Sequence, residues 1–307
     1  MPGRSRGQEF DLIERFLRDL DIGEGVAMGN GDDAALLQCR EGEALAVSVD
    51  AMHEGRHFPP DSPPTELSYR AVAAAASDLA AVGARPLGMT LALSLPEVSE
   101  PWLGECREGL AQACRDFALP LVGGDLVCGP LSLTVQVSGA VRPEAALRRS
   151  GARPGDRVWV SGCLGDAAGG LAVLRGELET PQKAALLASF WRPTPELRLG
   201  QSLVGRATSA IDVSDGLLAD LGHIARASEV AVVIESARLP LSPALRQSVS
   251  QQQALKWALS GGEDFRLCFT LPPGEQAPAP CVEIGYVTVG SGVHCDFEVD
   301  ERGYSHF

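Results

Sequence analysis

The stretch Ala210-Ile211-Asp212-Val213-Ser214-Asp215-Gly216 decides how the rest of the chain is interpreted. An apolar run leads into it, two aspartates stand three residues apart with a serine between them, and a glycine follows. After the glycine, apolar residues at three- and four-residue spacing predict a helix: Leu217, Leu218, Leu221, Ile224 and Ala225. By itself this stretch favours a helix cap over a metal site, because serine and aspartate are ordinary N-cap residues.

Four more aspartates occupy comparable positions earlier in the chain. Asp33 follows a glycine-rich turn, Asp50 ends a predicted strand, Asp78 lies within an alanine-rich predicted helix, and Asp125 follows two glycines. If these acids converge with those of the opening stretch, bound cations must balance their repulsion, which would otherwise raise their pKa values. Carboxylate oxygens suit Mg²⁺, Mn²⁺ or Ca²⁺. Zinc is disfavoured, since the sequence offers no complete Cys/His cluster.

Strands and helices alternate along the chain, which predicts an α/β protein. The pattern breaks over residues 142–156, so we expect two domains, 1–141 and 142–307. Ser-Asp and Gly-Gly pairs occur in both parts and indicate two related halves. The predicted helices cover 8–20, 65–82, 100–117, 181–190, 195–205 and 250–258, and another opens at 162–170; the predicted strands cover 44–50, 87–95, 120–125, 131–141, 157–161, 230–235 and 266–271.

The composition disfavours several classes of protein. Forty acidic residues against 26 basic ones give a net charge of −14, which disfavours binding to nucleic acid or to anionic membranes. Phosphate ligands stay possible, because divalent cations can bridge acids to a polyphosphate. No apolar run approaches the ~20 residues of a membrane span, and no signal peptide is recognisable. Eight cysteines without a C-x-x-C pair indicate reduced thiols in a cytoplasmic protein.

Many aspartates beside glycine corners fit phosphoryl transfer, which needs positioning and charge neutralisation more than a covalent nucleophile. An arginine should assist, and Arg148 and Arg149 are candidates, although a solvated basic pair is an equal alternative. The glycine-rich segment 162–170 resembles a phosphate loop but lacks the Gly-Lys-Ser/Thr ending, so helix packing is favoured over phosphate binding. Spacing supports no Ser-His-Asp or Cys-His arrangement, and we expect Cys163 to be structural.

Taken in order, a series of motifs resembles the thiamine-monophosphate kinase family over nearly the whole chain. Each motif is weak alone, whereas the ordered set is highly specific. The motifs are Gly31-Asp32-Asp33-Ala34-Ala35, Ser48-Val49-Asp50 with Gly55-Arg56-His57-Phe58, Ser77-Asp78-Leu79-Ala80-Ala81-Val82-Gly83-Ala84, Gly123-Gly124-Asp125, Arg149-Ser150-Gly151-Ala152, Ile211-Asp212-Val213-Ser214-Asp215-Gly216-Leu217, Ser260-Gly261-Gly262-Glu263-Asp264-Phe265 and Gly303-Tyr304-Ser305-His306-Phe307.

The resemblance implies a fold and an activity. The fold is that of the superfamily of aminoimidazole-ribonucleotide synthetase and selenophosphate synthetase. Its N-terminal α/β domain, which binds ATP and Mg²⁺, builds a β-barrel across a homodimer, and its C-terminal α/β domain completes the cleft. The implied activity is ATP-dependent phosphorylation of thiamine monophosphate to thiamine diphosphate with release of ADP, the last step of thiamine diphosphate biosynthesis. Transfer is direct and in line, with several Mg²⁺ ions and no phosphoenzyme.

The resemblance also implies residue roles, carried over position by position. The family often has threonine where Val49 stands, so a metal contact there would use the backbone carbonyl. Asp50, Asp125 and Arg149 would be catalytic. The remaining roles fall in three groups: Asp33, Ser48, Val49, Asp50, Asp78, Asp125, Asp212 and Asp215 would hold Mg²⁺; Gly124, Asp125, Arg149 and Ser214 would contact ATP; His57, Glu263 and Tyr304 would face thiamine monophosphate.

Three alternatives to this kinase remain. The first is another ATP-using enzyme of the superfamily with a different acceptor, although Glu263 and Tyr304 favour thiamine as the acceptor. The second is a metal-dependent phosphohydrolase that would release phosphate from the monophosphate without ATP. The third is a non-catalytic module that binds metal or thiamine phosphate. A mere binder would not need so many converging carboxylates, which argues against the third alternative.

Overall fold

A computed structural model of the chain describes residues 15–17, 19–300 and 303. The molecule divides into two compact units. Of the described residues, the first contains those up to Leu79 together with Arg85–Pro143, and the second contains Ala80–Ala84 together with those from Glu144 onward. Each unit combines helices with a β-sheet, which confirms the mixed α/β prediction. No helix among the described residues is long and apolar enough to cross a membrane.

The first unit is built on a four-stranded sheet with the strand order β3-β6-β4-β5, so that β3 and β5 form its two edges. Neighbouring strands are antiparallel except for the parallel pair β4 and β5. A short antiparallel pair, β1 with β2, precedes this sheet. The elements are β1 (Val26–Met28), β2 (Leu36–Leu37), β3 (Ala44–His53), α1 (Pro64–Ala81), β4 (Arg85–Leu95), α2 (Glu100–Phe117), β5 (Leu121–Cys128) and β6 (Ser132–Val141).

The two faces of the four-stranded sheet differ in burial. Along β6, alternate residues Leu133, Val135 and Val137 are buried, as expected for the face that carries the core. The opposite face of β3 exposes Val47 and Val49, each with 59% of its surface accessible. Apolar side chains gathered on one exposed sheet face are typical of an interaction surface.

The second unit is built on a six-stranded sheet with the order β12-β9-β11-β7-β10-β8. A hydrophobic cluster joins this sheet to the helices that cover it, with Ile211 and Val213 packing beside Leu217 and Leu221. The elements are β7 (Arg157–Ser161), α3 (Asp166–Leu174), α4 (Lys183–Trp191), α5 (Leu197–Leu203), β8 (Ser209–Val213), α6 (Leu217–Ser228), β9 (Ala231–Ile234), a 3₁₀ turn at Ser236–Arg238, α7 (Pro243–Ser248), α8 (Gln251–Ser260), β10 (Arg266–Leu271), β11 (Cys281–Thr288) and β12 (Gly292–Cys295).

Several local predictions need correction. Asp50 does not end its strand, because β3 pairs with β6 along its whole length and continues to His53. Asp125 likewise lies inside β5, which runs on to Cys128. The short helix α7 is absent from the sequence prediction, since its six residues are too few to show a helical period.

The hypothesis of two related halves is wrong for the motifs on which it rested. Asp78 lies within helix α1, whereas Asp215 lies in a loop before a helix. The Gly-Gly pair at 123–124 lies in strand β5, whereas the pair at 261–262 lies in the loop after α8. Most of the helix predicted at 8–20 lies outside the described residues, although residues 15–17 are helical.

Candidate active site

Asp50 and Asp78 form an acidic pair in the first unit. Strand β3 carries Asp50 and helix α1 carries Asp78, while the hydroxyl of Ser48 donates a hydrogen bond to Asp78 Oδ2. Burial, together with the nearby negative charge of Asp78, raises the pKa of Asp50 to about 6. Two carboxylates and a hydroxyl offer oxygen ligands only, and their repulsion is of the kind that a divalent cation relieves. The pair therefore fits Mg²⁺.

The other metal ligands expected in this unit are not gathered around that pair. Asp33 lies exposed in a turn, where its backbone N–H donates to Asp32 Oδ1 at 2.9 Å. Asp125 lies exposed on β5, and the side chain of Val49 lies on the exposed sheet face. In neither unit do three His, Cys, Asp or Glu side chains of the described residues approach closely enough to hold one metal ion. Of the predicted metal ligands in this unit, the structure brings Ser48, Asp50 and Asp78 close together.

His57 lies in the loop that follows β3. Its Nδ1 accepts a hydrogen bond of 3.0 Å from the backbone N–H of His53, and its own N–H donates to the His53 carbonyl at 3.0 Å. These two bonds fold the loop back on the end of the strand. His57 is thereby held next to the end of β3, the strand that carries Asp50. Its Nδ1 atom already accepts a hydrogen bond.

The acidic turn of the second unit is held by a residue that the sequence analysis did not single out. Asp220 Oδ2 accepts hydrogen bonds from the backbone N–H groups of Ser214, Asp215 and Gly216, at 3.0, 3.2 and 3.1 Å. Burial, together with the negative charges of Asp212 and Asp215, raises the pKa of Asp220 to about 7. An acid in the first turn of a helix is the signal that could have identified it.

Glu263 lies beside the same turn. Its backbone N–H donates to the Ser214 carbonyl at 2.7 Å, and the N–H of Phe265 donates to the Val213 carbonyl at 2.9 Å. Gly262 has a φ of +67°, and a Cβ there would lie 2.6 Å from the Ser214 carbonyl oxygen. A glycine is therefore required for this close approach. The fold joins two segments nearly fifty residues apart, so the predicted ATP residue Ser214 and the predicted substrate residue Glu263 are neighbours.

In the glycine-rich segment 162–170, backbone N–H groups that could bind a phosphate are bound by a carboxylate of the protein itself. The buried Asp264 accepts hydrogen bonds from the N–H groups of Gly165, at 2.7 Å, and Ala167, at 3.3 Å. A Cβ on Gly170 would lie 2.4 Å from the Leu186 carbonyl oxygen, so close helix packing requires this glycine. Burial also raises the pKa of the Cys163 thiol, which disfavours the thiolate form needed for nucleophilic attack. These contacts favour the structural interpretation of the whole segment.

The end of the described chain comes back to the acidic turn. A Cβ on Gly303 would lie 2.6 Å from Ala219 Cβ and 2.9 Å from the Asp215 carbonyl oxygen, so the backbone passes directly over the start of α6. Tyr304, predicted to face the substrate, is the next residue in sequence and lies outside the described residues.

Comparisons with known proteins agree with the predicted family. Residues 31–141 match the family model "AIR synthase related protein, N-terminal domain". The chain is 43% identical to the thiamine-monophosphate kinase of Escherichia coli strain K12, covering 97% of this chain and 98% of the relative. It is 46% identical to the thiamine-monophosphate kinase of Salmonella typhimurium strain LT2, with the same coverage.

The chain belongs to the thiamine-monophosphate kinase family. Solved structures agree with this membership. The thiamine-monophosphate kinase of Stenotrophomonas maltophilia K279a superposes with a TM-score of 0.84 at 41% identity, covering 94% of this chain and 95% of that one. AaThiL in complex with AMPPCP and TMP superposes with a TM-score of 0.82 at 31% identity over the full length of both chains. E. coli HypE, a hydrogenase maturation protein, shares the fold alone, at 20% identity with a TM-score of 0.76 and coverage of 97% and 98%.

Replacing Asp220 with alanine should loosen the acidic turn of this kinase-family protein. Three backbone N–H groups lose their acceptor, so hydrogen exchange over residues 214–216 should accelerate by roughly tenfold or more. Asp220→Asn keeps one acceptor oxygen and should show a smaller change. Asp296→Ala is a matched control, since Asp296 accepts bonds from the Ser236 N–H, at 2.8 Å, and from the Cys295 thiol, at 3.7 Å, whereas the N–H groups of the turn donate to Asp220. Unchanged exchange at the turn in Asp220→Ala would contradict the role assigned to Asp220.

Proposed function

We propose that this protein uses ATP to phosphorylate thiamine monophosphate, producing thiamine diphosphate and ADP. The observation that carries the proposal is its full-length similarity to AaThiL, which was solved with AMPPCP and TMP. AMPPCP is a nonhydrolysable analogue of ATP, and TMP denotes the phosphate acceptor named by the family. Use of ATP as a co-substrate also fits the cytoplasmic location that the sequence predicts.

Ser48, Asp50 and Asp78 would hold Mg²⁺ in the first unit, because they already present their oxygens together. Mg²⁺ would neutralise charge on the phosphates during transfer. Asp33 and the Val49 carbonyl would add ligands from the same unit, and Asp212 and Asp215 would add ligands from the second. Transfer would then be direct and in line, since no described residue stands out as an activated nucleophile.

The ATP phosphates would be held by Gly124, Asp125, Arg149 and Ser214. A Cβ on Gly124 would lie 2.2 Å from the Leu91 carbonyl oxygen, so this position of β5 requires glycine, and Gly124 is exposed, so a ligand could approach its backbone. The Ser214 N–H is bound to Asp220, which fixes the backbone from which the Ser214 hydroxyl would reach a phosphate. The guanidinium of Arg149 would stabilise charge that develops on the transferred group.

His57, Glu263 and Tyr304 would recognise thiamine monophosphate. Glu263 could attract the cationic thiazolium or accept a hydrogen bond from the aminopyrimidine, and Tyr304 could stack on a ring. In this proposal the first unit, 1–141 by sequence, is the ATP, Mg²⁺ and dimerisation domain. The remainder, 142–307, completes the nucleotide and substrate cleft.

A homodimer would complete this site. Asp50 and Asp125 lie on β3 and β5, the two edge strands of the sheet, with β6 and β4 between them. Three strand spacings separate their backbones by about 14 Å. That span is too long for two aspartates to share one Mg²⁺, whose ligand oxygens lie ~2.1 Å away.

A barrel built from two such sheets would shorten this separation to one strand spacing. It would cover Val47 and Val49 in its interior, and it would bring the β3 edge of one subunit to the β5 edge of the other. Asp125 of the partner subunit would then lie one strand away from Asp50, with its side chain on the Val49 face of the sheet and that of Asp50 on the face that carries the core. The exposed apolar face and the two open edges both support this arrangement.

Purified protein with ATP, Mg²⁺ and thiamine monophosphate should yield thiamine diphosphate and ADP, measured by chromatography of both products. Omitting ATP distinguishes the alternatives, because a phosphohydrolase would release phosphate from the monophosphate without it. Binding of the monophosphate in titration calorimetry without turnover would indicate a non-catalytic module. A panel of other phosphate acceptors tests the remaining superfamily activities. Absence of thiamine diphosphate with all components present would overturn the proposal.

Replacing His57 or Glu263 with alanine should weaken the acceptor more than the nucleotide. Each change removes a side chain proposed to face thiamine monophosphate, so KM for the monophosphate should rise roughly tenfold while KM for ATP changes little. Steady-state kinetics with each substrate varied separately measures the two values. Equal changes in both KM values would contradict this placement of His57 and Glu263.

A further inference from the structure

A single serine fixes the loop that carries Arg149. The hydroxyl oxygen of Ser228, at the end of helix α6, accepts hydrogen bonds from the N–H groups of Gly151, at 3.1 Å, and Ala152, at 3.2 Å. The same hydroxyl donates to the carbonyl oxygen of Arg149 at 3.2 Å. One side chain therefore holds three backbone groups of this short loop.

Two further contacts anchor the loop to strand β8 and the residue before it. Gly151 has a φ of +120°, and a Cβ there would lie 2.3 Å from the Thr208 carbonyl oxygen. The carbonyl of Arg148 accepts a hydrogen bond of 2.9 Å from the N–H of Ala210. The backbone on both sides of Arg149 is thus held, while its side chain is exposed.

The charge of the Arg149 side chain is felt by a residue of helix α6. Its positive charge lowers the pKa of His223 on that helix, after the larger effect of burial, and the charge of Asp215 opposes it. Arg149 and Asp215 therefore both lie within electrostatic reach of one histidine. Helix α6 carries Asp220 at its start, which holds the Ser214 turn, and Ser228 at its end, which holds the Arg149 loop. Helix α6 therefore fixes the position of both the Ser214 turn and the Arg149 loop.

We infer that Ser228 is a positioning residue for ATP, acting through Arg149; this rests on the proposed function, which places Arg149 on the nucleotide. A hydroxyl suits the task because it can accept from two N–H groups and donate to a carbonyl at once. Alanine at 228 would leave the loop tied only through its neighbours. A displacement of about 1 Å in a charged group at a reacting centre can cost roughly a hundredfold in rate.

The test compares Ser228→Ala with the wild-type protein. In titration calorimetry with Mg²⁺, the dissociation constant of AMPPCP should rise roughly tenfold. KM for ATP should rise in parallel, while KM for thiamine monophosphate should change less than about twofold. Ser228→Thr keeps the hydroxyl and should restore most of the affinity. Ser250→Ala is a matched control: Ser250 caps helix α8 by accepting from the Gln253 N–H at 3.2 Å, away from Arg149.

A double-mutant cycle decides whether Ser228 acts through Arg149. In an Arg149→Ala background, Ser228→Ala should cause little further loss of AMPPCP affinity, because the group it positions is gone. The same loss in both backgrounds would overturn the inference and leave Ser228 a purely structural residue. Since AMPPCP binding is measured without turnover, a wild-type protein that binds AMPPCP but makes no thiamine diphosphate would refute the proposed acceptor without refuting this inference. If Ser228→Ala does not fold, the folded Ser228→Thr variant serves as the test. Weaker AMPPCP binding by Ser228→Thr than by the wild-type protein would then overturn the role of Ser228.

Discussion

Turnover should fall by at least about a hundredfold when Asp50 is replaced with asparagine, while the fold survives. Metal-held charge can stabilise a phosphoryl-transfer transition state by several kcal/mol, and 1.36 kcal/mol corresponds to tenfold in rate. Asparagine has nearly the same shape but no charge, so it weakens the ligand without opening a cavity. Asp125→Asn should have a comparable effect, because Asp125 is also proposed to hold Mg²⁺.

The stability of the metal-free protein distinguishes a lost ligand from a damaged fold. Burial and the charge of Asp78 raise the pKa of Asp50 to about 6, so its carboxylate is an unfavourable group at pH 8 in the absence of metal. Removing that charge should leave the melting temperature without metal unchanged or higher. With Mg²⁺, the stabilisation seen for the wild-type protein should shrink.

The measurements are turnover at saturating ATP and thiamine monophosphate, and thermal unfolding with and without Mg²⁺. Asp61→Asn is a matched control, since Asp61 is exposed and its φ of +58° is one that asparagine adopts readily. Rates like those of the wild type in Asp50→Asn would refute its role as a metal ligand. A fall in both turnover and metal-free stability would point to the fold instead.

Mixing the two inactive variants, Asp50→Asn and Asp125→Asn, should restore activity if one site draws on both subunits. In a mixed dimer, one site combines both substitutions, and the other combines an intact Asp50 with the intact Asp125 of the partner subunit. Random exchange makes half of the dimers mixed, and each of these has one intact site of two. Activity should therefore recover to about a quarter of the wild-type value.

The control mixture is Asp50→Asn with Asp78→Asn. These two residues meet within one unit of one chain, so every site of a mixed dimer contains one damaged residue, and no activity should return. Subunit exchange is followed by native mass spectrometry of differently tagged variants, and the kinase assay is run on the re-formed dimers. If confirmed mixed dimers of Asp50→Asn and Asp125→Asn stay inactive, both residues act in the same chain and the proposed barrel arrangement fails.

Local patterns were predicted well because they depend on neighbours in sequence. The sequence predicted a helix over 100–117 and a strand over 266–271, and the structure has α2 at Glu100–Phe117 and β10 at Arg266–Leu271. Element ends were less certain: the partner strand decides where β3 stops, and β6 lies about eighty residues away. The ordered motifs also indicated the family, which the full-length relatives confirm.

The sequence by itself determined which chemical groups are available: carboxylates beside glycines, a candidate arginine, and the order of motifs that marks a phosphate-transferring family. Only the tertiary structure decided which of them meet. It placed Asp78 close to Asp50, it let Asp220 hydrogen-bond the backbone of the Ser214 turn, and it let Ser228 hydrogen-bond the backbone of the Arg149 loop. It also put Asp125 on the far edge of the sheet from Asp50. The physical reason is range: propensity and periodicity act over a few residues, whereas hydrogen bonds and repulsion between distant side chains exist only once the chain is packed.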